Sequence, residues 1–236
     1  YGDGRVPLDD LLTVAARRPN VTDALVPHPS TRVATGAQLA IDSLRAALHD
    51  RELGIWTLSV DVIHWMHAWM MRHRPTRVLE FGSGVSTLVL ADALSKAAPD
   101  LARPAIISLE ADPRCADDTR QLLGRAGLAQ WARVHVVPVG PIEDSADTCY
   151  QVRAAGLETQ LTAAYDLVLI DGPASSRRMT LPLARALMTR SAVFMLDDAL
   201  RDAELADLRA WRDQPGVEID GVVLMGKGLA IGRVDR

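Results

Sequence analysis

The sequence predicts an α/β fold built on a doubly wound, seven-stranded sheet, mostly parallel, with one antiparallel strand in a C-terminal hairpin and a helical extension at the N-terminus. Three observations predict it: short apolar runs alternate with segments of helical periodicity, a glycine-rich turn follows the first run, and acidic residues end most of the runs. Short apolar strands that alternate with helices are typical of a parallel sheet covered on both faces.

The composition indicates one globular domain. The chain has 236 residues, of which 48% are hydrophobic and 24% charged, and its net charge of -4 gives no basic footprint for nucleic acid. Its two cysteines lie far apart and are expected to be reduced thiols. Because no apolar run reaches the roughly 18 residues that span a bilayer and no signal-peptide pattern is present, we expect a cytoplasmic protein without a membrane partner.

Residues 1–55 are predicted to form an N-terminal arm and helices beside the sheet. Prolines within residues 1–35 indicate an irregular arm with one short helix at Leu8–Ala16. Apolar residues then recur at helical spacing over 36–49 and 58–72. We expect such an arm to serve as a lid or substrate contact, or to pack on a second copy of the chain in a homodimer.

Residues 56–236 are predicted to form the ligand-binding domain. The predicted strands, which are short and rich in aliphatic residues, are 77–81, 105–110, 133–139, 165–171 and 191–197. The predicted helices, which have helical spacing or begin after a capping residue, are 86–97, 113–126, 147–161, 177–188 and 202–212. Two final apolar segments joined at Gly226–Lys227–Gly228 predict a hairpin. Ligands bind such sheets beyond the carboxyl ends of the strands.

The stretch VLEFGSGVSTLVLA, residues 78–91, predicts a buried strand, a tight glycine turn and the start of a helix. Two phosphate-binding motifs fit it badly. A P-loop needs a lysine directly after the turn, and none follows Gly84 until Lys96. The dinucleotide fingerprint needs a third glycine where this chain has Thr87, and Glu80 would repel a pyrophosphate. The turn therefore favours a less anionic ligand.

Acidic residues end four of the predicted parallel strands, namely Glu80, Glu110, Asp171 and the pair Asp197–Asp198. Parallel strands end at one edge of a sheet, so we expect these carboxylates to converge; the alternative is that each caps the helix that follows. An acid in the position of Glu110 accepts hydrogen bonds from the two ribose hydroxyls in nucleoside-binding sheets. Together these features indicate an adenosine without phosphate, whose cationic part would face Glu80.

The chain resembles the class I S-adenosylmethionine-dependent methyltransferases, which share a Rossmann-like fold. Their first motif, E-x-G-x-G, is Glu80-Phe81-Gly82-Ser83-Gly84 here, and it is accompanied by SLEADP, YDLVLIDGP and FMLDDA. The resemblance implies S-adenosylmethionine as cofactor, with the glycine turn at its methionine part, Glu110 on the ribose, Ala111 and Ile142 beside adenine and Asp171 near the transferred methyl. The implied cofactor residues are Glu80, Gly82, Ser83, Gly84, Ser86, Thr87, Glu110, Ala111, Ile142 and Asp171, with Trp56 and Ser59 able to close over the ligand.

Within that class the chain looks most like the catechol and caffeoyl-CoA type and the macrocin type of O-methyltransferase. In these, an aspartate that ends the fourth strand and an Asp-Asn or Asp-Asp pair that ends the fifth bind a divalent metal, and Asp171, Asp197 and Asp198 match. The resemblance therefore implies that these three are the catalytic and metal-binding residues, that the ion is Mg²⁺, and that the acceptor is a small-molecule hydroxyl. Three carboxylates suit a hard, octahedral ion.

The chain also departs from the catechol pattern. The lysine expected three residues after Asp171 is Ala174 here, the glycine turn is one residue shorter, and the pair is Asp-Asp rather than Asp-Asn. Either metal activation suffices without that lysine, or another group such as Asp171 serves as the base, or Arg177 and Arg178 bind an anionic substrate in that loop. Arg201 could close over the site or form a salt bridge to the acidic pair.

Three other functions stay open on the sequence. The fold also suits a metal-independent methyltransferase or an aminopropyltransferase, and a non-catalytic nucleoside-binding module would need only the cofactor residues. A NAD-dependent oxidoreductase is disfavoured by the missing third glycine and by Glu80.

Overall fold

A computed structural model of the protein describes residues 4–17, 34–54, 56–161 and 164–235. The strands are β1 Arg5–Val6, β2 Ala34–Thr35, β3 Glu52–Leu53, β4 Val78–Phe81, β5 Ile106–Glu110, β6 Ala132–Val136, β7 Val139–Pro141, β8 Thr148–Tyr150, β9 Tyr165–Ile170, β10 Met188–Asp197, β11 Val217–Val223 and β12 Leu229–Val234. The α-helices are α1 Leu8–Arg17, α2 Asp42–Leu48, α3 Val60–His73, α4 Val85–Ala97, α5 Pro113–Arg125, α6 Arg177–Arg185 and α7 Asp202–Arg212.

The main sheet has the strand order β1-β11-β12-β10-β9-β4-β5-β6. Strands β10, β9, β4, β5 and β6 are parallel, whereas β12 pairs antiparallel with both β10 and β11. This confirms the predicted mostly parallel sheet with a C-terminal hairpin. The N-terminal segment adds an eighth strand to the expected seven, because Arg5 and Val6 pair antiparallel with β11. The chain order reverses between β4 and β9, where such sheets bind ligands.

Apolar clusters cover both faces of the sheet, as the unbroken burial of β4 requires. One cluster joins α2, α3, α4 and α5 to the sheet and includes Val78 and Leu88. The other joins α1, α6 and α7 and includes Leu79 and Phe81. Since neighbouring side chains of a strand point to opposite faces, Glu80 lies on the same face as Val78, against α4. The predicted N-terminal helical extension is confirmed by α1 and α2, and the helix predicted at 58–72, which leads into the sheet, is confirmed by α3.

The predicted helix at 147–161 is wrong. Thr148–Tyr150 is instead a strand that pairs antiparallel with Val139–Pro141, and turns follow it. In this strand the Tyr150 ring is buried against the Phe81 ring, with ring centroids 5.3 Å apart. This tertiary contact favours the strand over the helix that the local spacing of apolar residues predicts. The left-handed φ of 66° at Gly156 further interrupts any helix.

Two other predicted helices are shorter than expected. Over 36–49 only α2 is α-helical, because Gly36 begins a short 3₁₀ turn that packs directly against the backbone of Leu48. The helix expected to reach Met188 ends at Arg185, since Met188 already pairs with Tyr165 of β9. A backbone contact with a residue distant in sequence thus accompanies the late start of α2 and the early end of α6.

Helices α3 and α4 are joined by a buried carboxylate. The Asp92 side chain, 3% exposed, lies 2.8 Å from His67 Nε2 and 2.7 Å from Lys96 Nζ, and Lys96 also donates to Ser43 of α2 at 2.6 Å. These contacts lower the pKa of Asp92 against the effect of its burial. The network holds the helix that follows the glycine turn. No helix in the described ranges is long and apolar enough to cross a membrane.

We expect Asp92→Ala to lower the free energy of unfolding by about 1–3 kcal/mol, because hydrogen bonds to a charged group are lost between three helices. Chemical denaturation monitored by circular dichroism measures this change. Asp100→Ala, in an exposed loop, is the control and should stay within about 0.5 kcal/mol of the wild type. Equal stability of the two variants would contradict a structural role for Asp92.

Candidate active site

The glycine turn after β4 lies directly against the end of β9. Gly82 has a left-handed φ of 95°, and a Cβ placed on it would lie 2.9 Å from the backbone carbonyl of Asp171. Gly84 has a φ of 145°, which is almost exclusive to glycine, and a Cβ there would meet no atom within 4 Å. Gly82 therefore permits the close approach of two strands, and Gly84 borders open space.

Glu80 is fully buried beneath this turn. Its Oε2 atom accepts hydrogen bonds from Thr87 at 2.6 Å and from Ser108, whereas its Oε1 atom has no partner among the described residues. Burial raises the pKa of Glu80 from 4.5 to about 7, although these hydroxyls oppose the shift. Thr87 also accepts the amide of Gly84 at 3.1 Å, so the carboxylate and the turn are connected.

Glu110 connects the end of β5 to the glycine turn. Its Oε2 atom accepts hydrogen bonds from the amide of Ser83 at 2.8 Å and from the Ser83 hydroxyl at 2.9 Å. Its Oε1 atom accepts the amide of Asp112 at 2.9 Å, and Ser83 is also 3.0 Å from the Thr119 hydroxyl. Glu110 therefore fixes the turn in addition to any contact that it makes with a ligand.

The three aspartates predicted to converge do so. One carboxylate oxygen from each of Asp171, Asp197 and Asp198 lies within 4.8 Å of the others; we call these three residues the acidic cluster. Burial, followed by the charge of Asp197, raises the pKa of Asp171 well above its usual range. Burial and the neighbouring Asp198 raise the pKa of Asp197 to about 6. Only the Asp171 side chain is appreciably exposed, at 22%.

Three basic side chains contact the acidic cluster at Asp198. Arg177 Nη2 lies 3.0 Å from Asp198 Oδ2, Arg201 Nη1 lies 2.8 Å from the same atom, and Lys227 Nζ lies 2.6 Å from Oδ1. Arg201 thus forms the salt bridge that was one of its two expected roles. Arg178 points elsewhere, 3.5 Å from Asp207, so the two arginines do not act as a pair.

A cavity of about 150 Å³ lies beside the glycine turn. Its lining residues are Arg51, Trp56, Thr57, Leu58, Ser83, Gly84, Val85, Ser86, Cys115, Asp118, Thr119 and Asp171. Five of the predicted cofactor residues are therefore together, and Trp56, 91% exposed, lies at the mouth. Ser59 is the N-cap of α3, Ile142 lies in the turn between β7 and β8, and Ala111 packs against the apolar cluster on the α6 face.

Residues 79–199 match a family model described as a methyltransferase domain, which covers the glycine turn, Glu110 and the whole acidic cluster. The chain belongs to this methyltransferase family. Its fold is that of the class I S-adenosylmethionine-dependent methyltransferases, as the resemblance implied. A search of curated protein sequences finds no match.

Solved structures resemble this methyltransferase along most of its length. An O-methyltransferase from Bacillus cereus in complex with SAH is 20% identical with a TM-score of 0.61, covering 95% of this chain and 100% of that one. The O-methyltransferase TomG from Streptomyces achromogenes, in complex with SAM, is 20% identical with a TM-score of 0.57, covering 77% and 82%. The SAH-bound methyltransferase PaMTH1 from Podospora anserina is 14% identical with a TM-score of 0.57, covering 95% and 96%.

Several residues of the candidate site are not indicated by the sequence. Arg51 and Asp118 form an ion pair of 2.6 Å at the cavity, and Cys115 and Thr119 line it from the same face of α5. Positions 115, 118 and 119 are spaced to share one helix face, which was the available signal. No local pattern indicates Lys227, because a hairpin brings it to Asp198 from a distant part of the chain.

We expect Glu80→Gln to change the pH dependence of stability. The folded state holds the Glu80 proton more tightly than the unfolded chain, so this group favours folding below pH 4.5, and that contribution is lost as the pH rises to about 7. The wild type therefore loses about 3 kcal/mol of its unfolding free energy as the pH rises through this range. Glu80→Gln has no group that titrates at this position and does not lose it, so the variant should become more stable relative to the wild type as the pH rises. Urea denaturation at several pH values measures it, and parallel curves for the two proteins would contradict the raised pKa.

Proposed function

We propose that the protein is an S-adenosylmethionine-dependent O-methyltransferase that methylates a hydroxyl of a small molecule. The observation that carries this proposal is the position of Asp171, which lines the same cavity as Ser83, Gly84 and Ser86 of the glycine turn and helix start. A carboxylate thus adjoins the loop that is expected to hold the methyl donor. The sequence family supports methyl transfer, and the SAH and SAM complexes of the B. cereus enzyme and TomG support the cofactor.

The residues present fit S-adenosylmethionine. The space next to Gly84 is open, and the turn carries no lysine or arginine that would recognise a phosphate. The buried Glu80 Oε1 atom has no hydrogen-bond partner within the described part of the chain and would complement a positively charged ligand. In this assignment the glycine turn holds the methionine part, Glu110 faces the ribose, and Ala111 and Ile142 flank the adenine.

The chain's own groups would act on the acceptor. When bound, S-adenosylmethionine supplies a methyl group on a sulfonium, and the carbon–sulfur bond breaks with its electron pair on sulfur. Asp171 would accept a hydrogen bond from the acceptor hydroxyl, orient its oxygen and take its proton as the oxygen–carbon bond forms. Trp56, at the mouth of the cavity, would cover the bound molecules and exclude water.

The metal expected from the resemblance stays a prediction. The acidic cluster has the oxygen donors that Mg²⁺ prefers, but both oxygens of Asp198 already form ion pairs with basic side chains. The residues therefore fit a metal poorly, and the proposed mechanism assigns no step to one. The contacts of Asp198 favour the metal-independent methyltransferase over the metal-dependent one.

An aminopropyltransferase and a nucleoside-binding module are the remaining candidates. The first would prefer decarboxylated S-adenosylmethionine, and the second would bind the cofactor without turnover. Titration calorimetry with S-adenosylmethionine and with its decarboxylated form separates the first from our proposal. A clear preference for the decarboxylated form, or for NAD, would overturn it.

We expect Asp171→Asn to reduce methyl transfer by about 10²–10⁴-fold, because the group that accepts the hydroxyl proton is lost. Cofactor binding should change little, since the carboxylate acts on the acceptor. Turnover of a hydroxyl library, followed as S-adenosylhomocysteine release, and calorimetric binding of S-adenosylhomocysteine provide the two readouts. Asp117→Asn, on the exposed surface of α5, is the control. Undiminished turnover in Asp171→Asn would contradict its role.

We expect Gly84→Val to weaken binding of S-adenosylhomocysteine by at least about tenfold, because the side chain enters the open space of the cavity. Since φ is 145°, some stability is lost as well, so binding is measured by calorimetry at a temperature where the variant is folded. Gly124→Val, at another glycine whose added Cβ would meet open space but which lies on α5, is the control for a change of glycine. Wild-type affinity in Gly84→Val would place the cofactor elsewhere.

A further inference from the structure

The acidic cluster has the donor atoms of a divalent metal site, yet basic side chains already surround it. We propose that the guanidinium of Arg177, assisted by Arg201 and Lys227, takes the place that a divalent metal would have, and that the cluster binds no metal. The proposal rests on the function proposed above only for its consequence, the way in which the acceptor is held. The contacts of Arg177, Arg201 and Lys227 with the acidic cluster support it.

Arg177 is the first residue of α6, and its side chain is only 5% exposed. Its Nε atom donates to the Gly172 carbonyl at 2.8 Å, and Nη1 donates to the Asp197 carbonyl at 3.1 Å and to Glu204 at 2.8 Å. Each part of the guanidinium therefore meets an acceptor. Such a rigid, always charged fork is suited to buried ion pairs.

The remaining nitrogen of Arg177 lies between two members of the acidic cluster. Nη2 is 3.0 Å from Asp198 Oδ2 and 3.5 Å from Asp171 Oδ1. A metal bridging these two oxygens would lie between them, where Nη2 already contacts both, since Mg²⁺ binds oxygens at about 2.1 Å. The guanidinium thus neutralises the carboxylates from the position in which a bridging ion would do so.

Asp198 has no oxygen free of a cation. Its Oδ1 atom pairs with Lys227 at 2.6 Å, and its Oδ2 atom pairs with Arg177 and with Arg201 at 2.8 Å. Its side chain is 4% exposed, so water screens these pairs little. A metal at Asp198 would therefore have to share an oxygen with a cation that already contacts it.

The local charge also opposes a metal. The acidic cluster and Glu204 contribute four carboxylates. Three positive charges lie beside them, on Arg177, Arg201 and Lys227. With all groups ionised the sum is one negative charge, so the basic side chains already offset most of the negative charge that would attract a divalent ion.

The consequence concerns the class of acceptor. A divalent metal held by three carboxylates has further positions that two neighbouring hydroxyls of an acceptor could fill, whereas a carboxylate needs only one hydroxyl that donates a hydrogen bond. Asp171, the exposed member of the cluster, is the group available for this contact. Acceptors with a single hydroxyl should therefore serve as well as vicinal diols.

Titration of chelator-treated protein with Mn²⁺, followed by electron paramagnetic resonance of the free ion, tests the proposal. We expect the wild type to bind no Mn²⁺ at the acidic cluster below about 1 mM. Arg177→Gln removes the buried cation and should bind Mn²⁺ at least about tenfold more tightly. Arg178→Gln, the neighbouring and half-exposed arginine that pairs with Asp207, should behave as the wild type does.

Micromolar Mn²⁺ binding by the wild type that is lost in Asp197→Asn would overturn the proposal, and so would a folded Arg177→Gln that gains no binding. Binding that survives in Asp197→Asn lies outside the cluster and agrees with it. If Arg177→Gln does not fold, Arg177→Lys is tested instead. This variant keeps the positive charge and should fold without binding Mn²⁺. Binding of Mn²⁺ by Arg177→Lys would count against the proposal. Calorimetry with S-adenosylhomocysteine on the same samples tests the cofactor separately, so a failure of the proposed function is distinguishable.

Discussion

The candidate site depends on one close approach, that of the turn after β4 to the backbone at the end of β9. A side chain at Gly82 would lie 2.9 Å from the Asp171 carbonyl, so only glycine lets the two segments touch. This contact occurs where the chain order reverses in the sheet, the place at which such folds form a cleft. It sets Asp171 beside Ser83 and Gly84, so that one cavity is lined by both the glycine turn and a carboxylate.

A sheet edge that gathers carboxylates must also neutralise them, because buried charges lose their hydration. The protein does so with basic residues from three different elements: Arg177 begins α6, Arg201 precedes α7, and Lys227 lies in the turn between β11 and β12. The backbone supports the arrangement, since the amides of Ala199 and Leu200 donate to carbonyls of that same turn. The turn that supplies Lys227 to neutralise Asp198 is therefore also held to the end of β10 by backbone hydrogen bonds.

Much of the fold could be predicted because its signals are local. Apolar strand runs and helical spacing fall within windows of a few residues, and they located α3 and α5 and the parallel strands within one to three residues. The helix predicted at 147–161 failed because the decisive contact, between the rings of Tyr150 and Phe81, joins residues far apart in sequence. Local spacing carries no information about such a contact.

The sequence alone determined the fold, the methyltransferase family motif and the strand ends at which Glu80, Glu110, Asp171 and Asp197–Asp198 appear. These follow from periodicity and from residue types at fixed spacing. Tertiary structure decided what those carboxylates contact: Glu110 is bonded to the glycine turn, and Asp198 is enclosed by Arg177, Arg201 and Lys227. The physical reason is that an ion pair depends on distances in space, and Lys227 lies near Asp198 because β12 of the hairpin pairs with β10.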